Sequence, residues 1–331
     1  MDYQTGGCDL SVVVPTYNEA ERLGANIAAL RNALESLGRS WELVVVNDGS
    51  TDESGAIAKD AACHDNRITV VGYPVNRGRG YALTRGIEAA RGTFIITTES
   101  DVSYGTAIIG QLLQRLEETG ADIVVASPYM PGGCLKNVPL KRALLSRWGN
   151  FFIRHAISAQ IHTITGMTRG YRASSIKRLA LVSAGKEIHL EIISKALAMG
   201  YVVDEIPAVL RWEPPKAGRQ KRRSTFRPGR YIASHLLFSF GESPLLLFGT
   251  IGIVFLVLGS GIGLYALGLS LAGIAVGGRP IVVGAALLIL FGVQIFLFCF
   301  LAIQNRELRN KLVRIEAAMK SLAHGKDPHS S

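Results

Sequence analysis

An α/β domain on a mainly parallel sheet, followed by a helical hairpin suited to a bilayer, is the fold class that three observations predict. Apolar runs at Leu10–Val14, Leu43–Val46 and Phe94–Ile96 each stop on polar and acidic residues, at Pro15-Thr-Tyr-Asn-Glu19, Asn47-Asp-Gly-Ser-Thr-Asp52 and Thr97-Thr-Glu-Ser-Asp101. Helical patterns lie between those runs, and strand alternating with helix argues a parallel, doubly wound sheet. Leu245–Val276 and Ile281–Ile303 carry no charged residue, and each is long enough as helix to cross a hydrocarbon core of roughly 30 Å.

Each element has a local reason. Glu19–Leu37 repeats its apolar residues near helical spacing, Ser50–Ala62 opens on Ser-Thr-Asp-Glu as a capped helix start, and Tyr81–Ala90 follows a glycine-rich turn. Further strands are expected at Ile68–Val71, Asp122–Ser127 and Val202–Ile206, with helices near Gly105–Glu118, Lys141–Ile157 and Glu187–Met199. Residues 1–227 are expected to form the α/β domain, 228–243 an interfacial juxtamembrane helix, and 244–303 two transmembrane helices at about 245–270 and 281–303. A basic tail, 304–331, then reads as a charged helix continuing the second span.

Charge orients the chain. Eight basic residues run from Arg211 to Arg230 ahead of the first span, and Arg306, Arg309, Lys311, Arg314 and Lys320 follow the second, whereas the turn between them carries Arg279 alone. The positive-inside bias therefore predicts that the α/β domain and the tail are both cytoplasmic. The start, Met1-Asp-Tyr-Gln-Thr-Gly-Gly-Cys8, has neither a basic opening nor an apolar core, so no secretory signal is expected and the hairpin is expected to direct insertion. The net charge of +10 sits beside the spans, which favours anionic lipid heads and excludes nucleic acid as the partner. Cys8, Cys63, Cys134 and Cys299 lack metal-ligand spacing, and His155, His162, His189 and His235 fit no zinc pattern.

The strand ends carry the chemistry. In an open sheet the ligand crevice lies beyond the carboxyl ends of the strands, so acids gathered there are placed to hold a metal and a nucleotide. Glu99 and Asp101, two apart, can both reach one hard cation if the chain leaves the extended conformation after the strand, and Mg²⁺ commonly takes one or two carboxylates plus substrate phosphates. Asp48 is placed to accept hydrogen bonds from a base or ribose, while Asp52 reads as a first-turn helix acid. Pro15, Tyr17 and Glu19 offer a ring, a hydroxyl and a carboxylate suited to gripping a nucleoside. Asn76-Arg-Gly-Arg-Gly80 suits either close approach to phosphates or a plain turn before a helix.

Taken in order, Val-Pro-Thr-Tyr-Asn-Glu19, Val46-Asn-Asp-Gly-Ser-Thr-Asp52, Asn76-Arg-Gly-Arg-Gly80 and Glu99-Ser-Asp101 resemble a family 2 glycosyltransferase with the Rossmann-like GT-A fold. Thr165-Gly-Met-Thr-Arg-Gly-Tyr-Arg172, Glu191, Glu205-Ile-Pro207, Arg211, Ser224-Thr-Phe226, Phe238-Ser239 and the terminal hairpin narrow the resemblance to the polyprenyl-phosphate glycosyltransferases, which include dolichyl-phosphate mannose synthases. The similarity runs from residue 9 to about 303.

That resemblance implies a nucleotide-sugar donor held by Pro15, Tyr17, Glu19, Asp48, Ser100 and Asp101, and Mg²⁺ or Mn²⁺ near Glu99, Asp101 and Ser103. It also implies that Arg211 and Arg222 close over the donor diphosphate or the lipid phosphate. Two positions depart from the family pattern: Glu99 takes the first place of the usual Asp-x-Asp, and Pro128 in Ser127-Pro-Tyr129 takes the place of a common arginine. A cation at the acceptor phosphate is then expected from Arg142, Arg147, Arg169 or Arg172, with Ser127 and Arg223 beside it.

A lipid monophosphate, with a second pKa near 6, is largely dianionic at neutral pH and needs cations more than a general base. The basic run Arg211–Arg230 suits that acceptor. The leading expectation is inverting transfer of a hexose from GDP-mannose or a UDP-glucose-class donor to a polyprenyl (dolichyl- or undecaprenyl-type) phosphate. A processive polysaccharide synthase fits less well, because its Gln-x-x-Arg-Trp signature is missing: Leu144 precedes Arg147-Trp148, and Ala208 precedes Arg211-Trp212. A non-catalytic membrane scaffold is the non-enzyme rival, and homo-oligomerisation is left open.

Overall fold

The computed structural model describes residues 8–139, 146, 161–212, 248–274 and 280–324. Within them the chain forms two compact units, one holding the sheet and the end of the last helix from Leu312 onward, the other the helical hairpin through Lys311.

The sheet unit begins with β1 (Cys8–Thr16), α1 (Ala20–Glu35), β2 (Trp41–Asp48), α2 (Ser54–His64), β3 (Ile68–Tyr73), α3 (Arg79–Ala89), β4 (Gly92–Thr97), α4 (Ala107–Thr119) and β5 (Ile123–Ser127). It continues through β6 (Cys134–Lys136), β7 (Arg169–Arg172), α5 (Ala173–Ile176), α6 (Ile188–Ala198), β8 (Val203–Pro207) and β9 (Val209–Arg211). Seven strands form one sheet in the order β3-β2-β1-β4-β7-β5-β8, and β6 pairs with β9 in a second. β7 alone runs antiparallel in the large sheet, wedged between β4 and β5. Sequence pattern missed β6, β7, β9 and α5 because each is three or four residues long, too short to show a period.

β1 and β2 are covered on both faces, so Val12, Val13, Val14, Leu43, Val44, Val45 and Val46 are all buried and the strands read as unbroken apolar runs. Leu23, Ile27, Leu30 and Leu34 place the buried stripe of α1 over them, at the spacing of one helix face. Each such side chain contributes roughly 1.5–3 kcal/mol on burial. This core fixes the carboxyl ends of β1, β2 and β4 side by side, through the parallel pairing of β1 with β2 and with β4.

In the second unit, α7 (Thr250–Leu271) and α8 (Pro280–His324) are long and apolar enough to span a membrane, with mean hydropathy reaching 2.1 and 2.8. Small residues let them approach: a Cβ on Gly252 would meet the Phe296 ring at 2.9 Å, and one on Gly292 would meet Leu256 at 2.7 Å. The expected helix over Lys141–Ile157 and the interfacial helix over 228–243 lie outside the described residues.

Candidate active site

The first two strand ends are stitched together before any ligand arrives. Asn18, at φ 53°, accepts from Thr51 N at 2.8 Å through its side-chain oxygen, while its own N–H donates to Ser50 Oγ at 3.1 Å. Asp52 accepts from Ser54 N and from Ala20 N, so one carboxylate serves the starts of both α2 and α1. Burial raises its pKa, but those hydrogen bonds outweigh burial and hold it below the ordinary value. Pro15 and Glu19 are half-buried in this loop, and Tyr17 is 39% exposed at its tip.

At the second strand end the carboxylate is engaged by the chain itself. Asp48 is only 4% exposed, and its oxygens accept from Tyr73 Oη at 2.8 Å, Asn76 Nδ2 at 2.9 Å, Arg77 N at 2.8 Å and Gly78 N at 3.1 Å. Four donors fill the roughly four lone-pair positions of a carboxylate. Asp48 thus ties the 76–78 loop to the end of β2. Burial first, then the bond to Asp48, raise the Tyr73 pKa and keep the phenol a donor.

The glycines of that loop face protein. Gly78 has φ 97°, and a Cβ on Gly80 would lie 2.2 Å from the Ser183 carbonyl oxygen. Gly80 N and Tyr81 N, at the start of α3, both donate to the Ala184 carbonyl. Glu191 in turn accepts from Val182 N, Ser183 N and Lys195 Nζ. Burial raises the Glu191 pKa, yet these bonds, that of Lys195 foremost, bring it below the usual value. The helix start that looked free for phosphate is therefore occupied by residue 184.

The third strand end gathers the acids. β4 stops at Thr97, Val102 N donates back to Glu99 O, and Val102 sits at φ 50°. A β-branched residue in the left-handed region is strained, and such strain is kept where the surroundings impose it, often at functional sites. The turn brings three groups together: Ser103 Oγ donates to Glu99 Oε2 at 2.8 Å, and Ser103 N donates to Asp101 Oδ1 at 3.1 Å. Arg79 Nη1, from the start of α3, lies 3.4 Å from Glu99 Oε1. Arg211 N donates to Ser103 O at 2.9 Å, so β9 delivers Arg211 to the same loop with its side chain exposed. Ser100 is half-buried there, its carbonyl accepting from Asn26 Nδ2.

Among the described residues no three histidine, cysteine, aspartate or glutamate side chains form a self-sufficient metal cage. Glu99, Asp101 and the Ser103 hydroxyl nonetheless fit a hard, oxygen-ligated cation whose remaining positions come from phosphate and water. The Arg79 contact to Glu99 joins partly exposed groups, and pairs of that kind are weak enough to yield.

Two expected acceptor-side residues are buried among the protein's own polar groups. Arg169 is 0% exposed, and its guanidinium donates to the carbonyls of Gly166, His189 and Ile164. Ser127 is fully buried and bonded to Thr163 Oγ1. Both hold the chain around β5 and β7. Arg172 likewise donates to the Leu116 carbonyl in the last turn of α4 and to the Ala121 carbonyl just beyond it. Arg142, Arg147, Arg222 and Arg223 lie outside the described residues. Sequence pattern alone does not pair Arg79 with Glu99; its signal is a place three residues past Asn76 in the basic turn. Glu205, named in the sequence only for the resemblance it carries, accepts from His162 N and Thr163 N.

Comparison with known proteins follows this geometry. Polyprenol monophosphomannose synthase of Mycolicibacterium smegmatis is 30% identical over 203 residues, 59% of this chain and 75% of that protein. Dolichol-phosphate mannosyltransferase of Pyrococcus furiosus is 27% identical over 226 residues, 67% of this chain and 62% of that protein. Glucosyl-3-phosphoglycerate synthase of Mycobacterium tuberculosis, solved with Mn²⁺, UDP and glucosyl-3-phosphoglycerate, superposes with a TM-score of 0.54 at 17% identity, covering 71% of this chain and 81% of that one. That likeness is one of fold, and the fold is GT-A-like. The profile of glycosyl transferase family 2 matches residues 11–180, from β1 through the acidic turn to α5, and the chain belongs to that family.

Proposed function

We propose that the chain transfers a hexose, with inversion, from a nucleotide sugar to a polyprenyl phosphate at the cytoplasmic face of a membrane. The observation that carries this reading is the turn that sets Glu99, Asp101 and Ser103 together with Arg211 beside them, in a chain that also bears two helices apt for a bilayer. The names of both relatives favour mannose as the sugar, and hence a GDP-mannose donor over a UDP-glucose-class one.

Each group has a task. Pro15, Tyr17 and Glu19 line the nucleoside end, held by the stitching to residues 50–54. Asp48 fixes the 76–78 loop, which sets Arg79 against Glu99. Mg²⁺ or Mn²⁺, the ions bound in the structural neighbours, would neutralise charge on the diphosphate as it leaves. Arg211 supplies a fixed positive charge at the same edge. In the reaction an oxygen of the lipid phosphate forms the new bond to the anomeric carbon from the opposite face. The bond from that carbon to the diphosphate breaks, and the electron pair leaves with the nucleoside diphosphate. The dianionic acceptor brings no proton to remove, so no general base is needed.

Membranes containing the protein, incubated with a panel of labelled nucleotide sugars and polyprenyl phosphate, should move one label into the lipid phase. No transfer from any donor, with the protein inserted and folded, would support the scaffold reading that Glu99 and Pro128 motivate.

A further inference from the structure

Along α8 an apolar stripe continues past the span and is exposed among the described residues. Counting from Gln294, the residues Gln294, Phe298, Leu301, Asn305, Leu308, Leu312, Ile315 and Met319 alternate spacings of four and three, the period of a coiled-coil seam. Its large apolar members, Phe298, Leu301, Leu308, Leu312, Ile315 and Met319, are between 53% and 58% exposed. A span of about 20 residues from Pro280 ends near Leu301, so the stripe from Leu308 onward lies in water, where four large apolar side chains on one line are costly.

The opposite side of the same stretch is already occupied. Ala317 is 4% exposed and Arg314 Nε donates to the Ala198 carbonyl at 2.9 Å, both on the face away from the seam. The seam therefore points outward by construction. Its flanks are complementary to themselves. In a parallel pair, each flanking residue meets the one five positions further along its partner, which matches Lys311 with Glu316 and Gln304 with Arg309. Lys311 now holds Glu307 on its own helix at 3.0 Å, an exposed contact worth little. Asn305 occupies one seam position, and a single asparagine there favours two parallel strands in register. Gln294 puts an exposed amide on the same line inside the apolar segment, where polar side chains join helices by hydrogen bonding.

We infer that α8 pairs along this seam with α8 of a second copy, as a parallel two-stranded coiled coil continuing out of the bilayer. The parallel direction rests on the membrane-spanning reading above; the transfer chemistry does not enter. Three heptads are marginal for free helices, and confinement of both copies in one membrane supplies the effective concentration that makes them suffice.

The test uses the full chain in membranes, with Cys8, Cys63, Cys134 and Cys299 replaced by serine. Single cysteines at Leu312 and Ile315, on the seam, should oxidise to a covalent dimer, whereas cysteines at Glu307 and Asn310 should give several-fold less. Lys311→Glu and Glu316→Lys should each lower the dimer yield several-fold, and the double exchange should restore it. Equal yields at 312, 315, 307 and 310, or no rescue by the double exchange, would overturn the pairing. Flotation of the same membranes reports insertion separately, so loss of the membrane reading is told apart from loss of the seam.

Discussion

Removing the Asp48 carboxylate isolates what the second strand end does. In Asp48→Ala four donors lose their acceptor, and two of them, Arg77 N and Gly78 N, are backbone groups that cannot turn away. Hydrogen bonds to a charged group contribute about 1.5–3 kcal/mol each, so the two fixed donors alone set a loss of about 3–6 kcal/mol. Water entering beside the half-buried Tyr73 and the exposed Asn76 recovers part of this, which leaves about 3–4 kcal/mol. For a domain of this size each kcal/mol shifts Tm by about 2–4 °C, so the variant should melt about 10 °C lower. Thermal unfolding of the purified full chain, followed by tryptophan fluorescence, reads the shift. Donor affinity should fall with it, because the loop places Arg79 near Glu99. A variant that melts within about 1 °C of the parent yet no longer binds donor would refute the scaffold role and return Asp48 to direct contact with the nucleoside.

Other expected outcomes follow from the same geometry. Asp101→Ala should lower label transfer by about 10²-fold or more while leaving the unfolding transition in place, and near-normal turnover would remove Asp101 from the site. Arg169→Ala strands three buried carbonyls and should destabilise the domain by about 3 kcal/mol or more; unchanged melting with weaker acceptor binding would restore its phosphate role. His189 is 2% exposed with neither ring nitrogen bonded, and burial followed by Arg169, Arg79 and Lys186 lowers its pKa well below 6.5. Its neutral form suits the fold, so its contribution is complete above about pH 6.5 and is lost as pH falls toward the depressed value. His189→Leu should flatten melting between about pH 6.5 and 5, and a slope that persists would assign it elsewhere. Glu191 contributes above its ordinary value near 4.5 and loses that contribution as pH falls through its lower folded value, so Glu191→Gln should narrow the difference in Tm between pH 6 and pH 3.

Buried parallel strands declare themselves as apolar runs, of valine and leucine in β1 and β2 and of Phe94-Ile-Ile96 in β4, which is why these strands and the acids at their ends are legible in the sequence. The turn that brings Glu99 and Asp101 together was visible only as a condition, and it took the left-handed Val102 to meet it. What the residues could not reveal was which polar groups the protein itself consumes. Asp48, Arg169 and Ser127 look like ligand contacts in sequence, because a carboxylate or guanidinium committed to backbone groups has the same identity as a free one. Their partners come from segments between 20 and 36 positions away, or from the turn at 164–166, and only the folded chain sets them side by side. Arg211 was legible as a candidate, but its route to the acidic turn, through a three-residue strand, was not.

Transfer itself tests the central claim most directly. Membranes bearing the protein, given labelled GDP-mannose, polyprenyl phosphate and Mg²⁺ or Mn²⁺, should accumulate label in the lipid phase with release of nucleoside diphosphate, and Asp101→Ala should not. Label remaining wholly with the nucleotide for every donor tried, or transfer that survives in Asp101→Ala, would contradict the account.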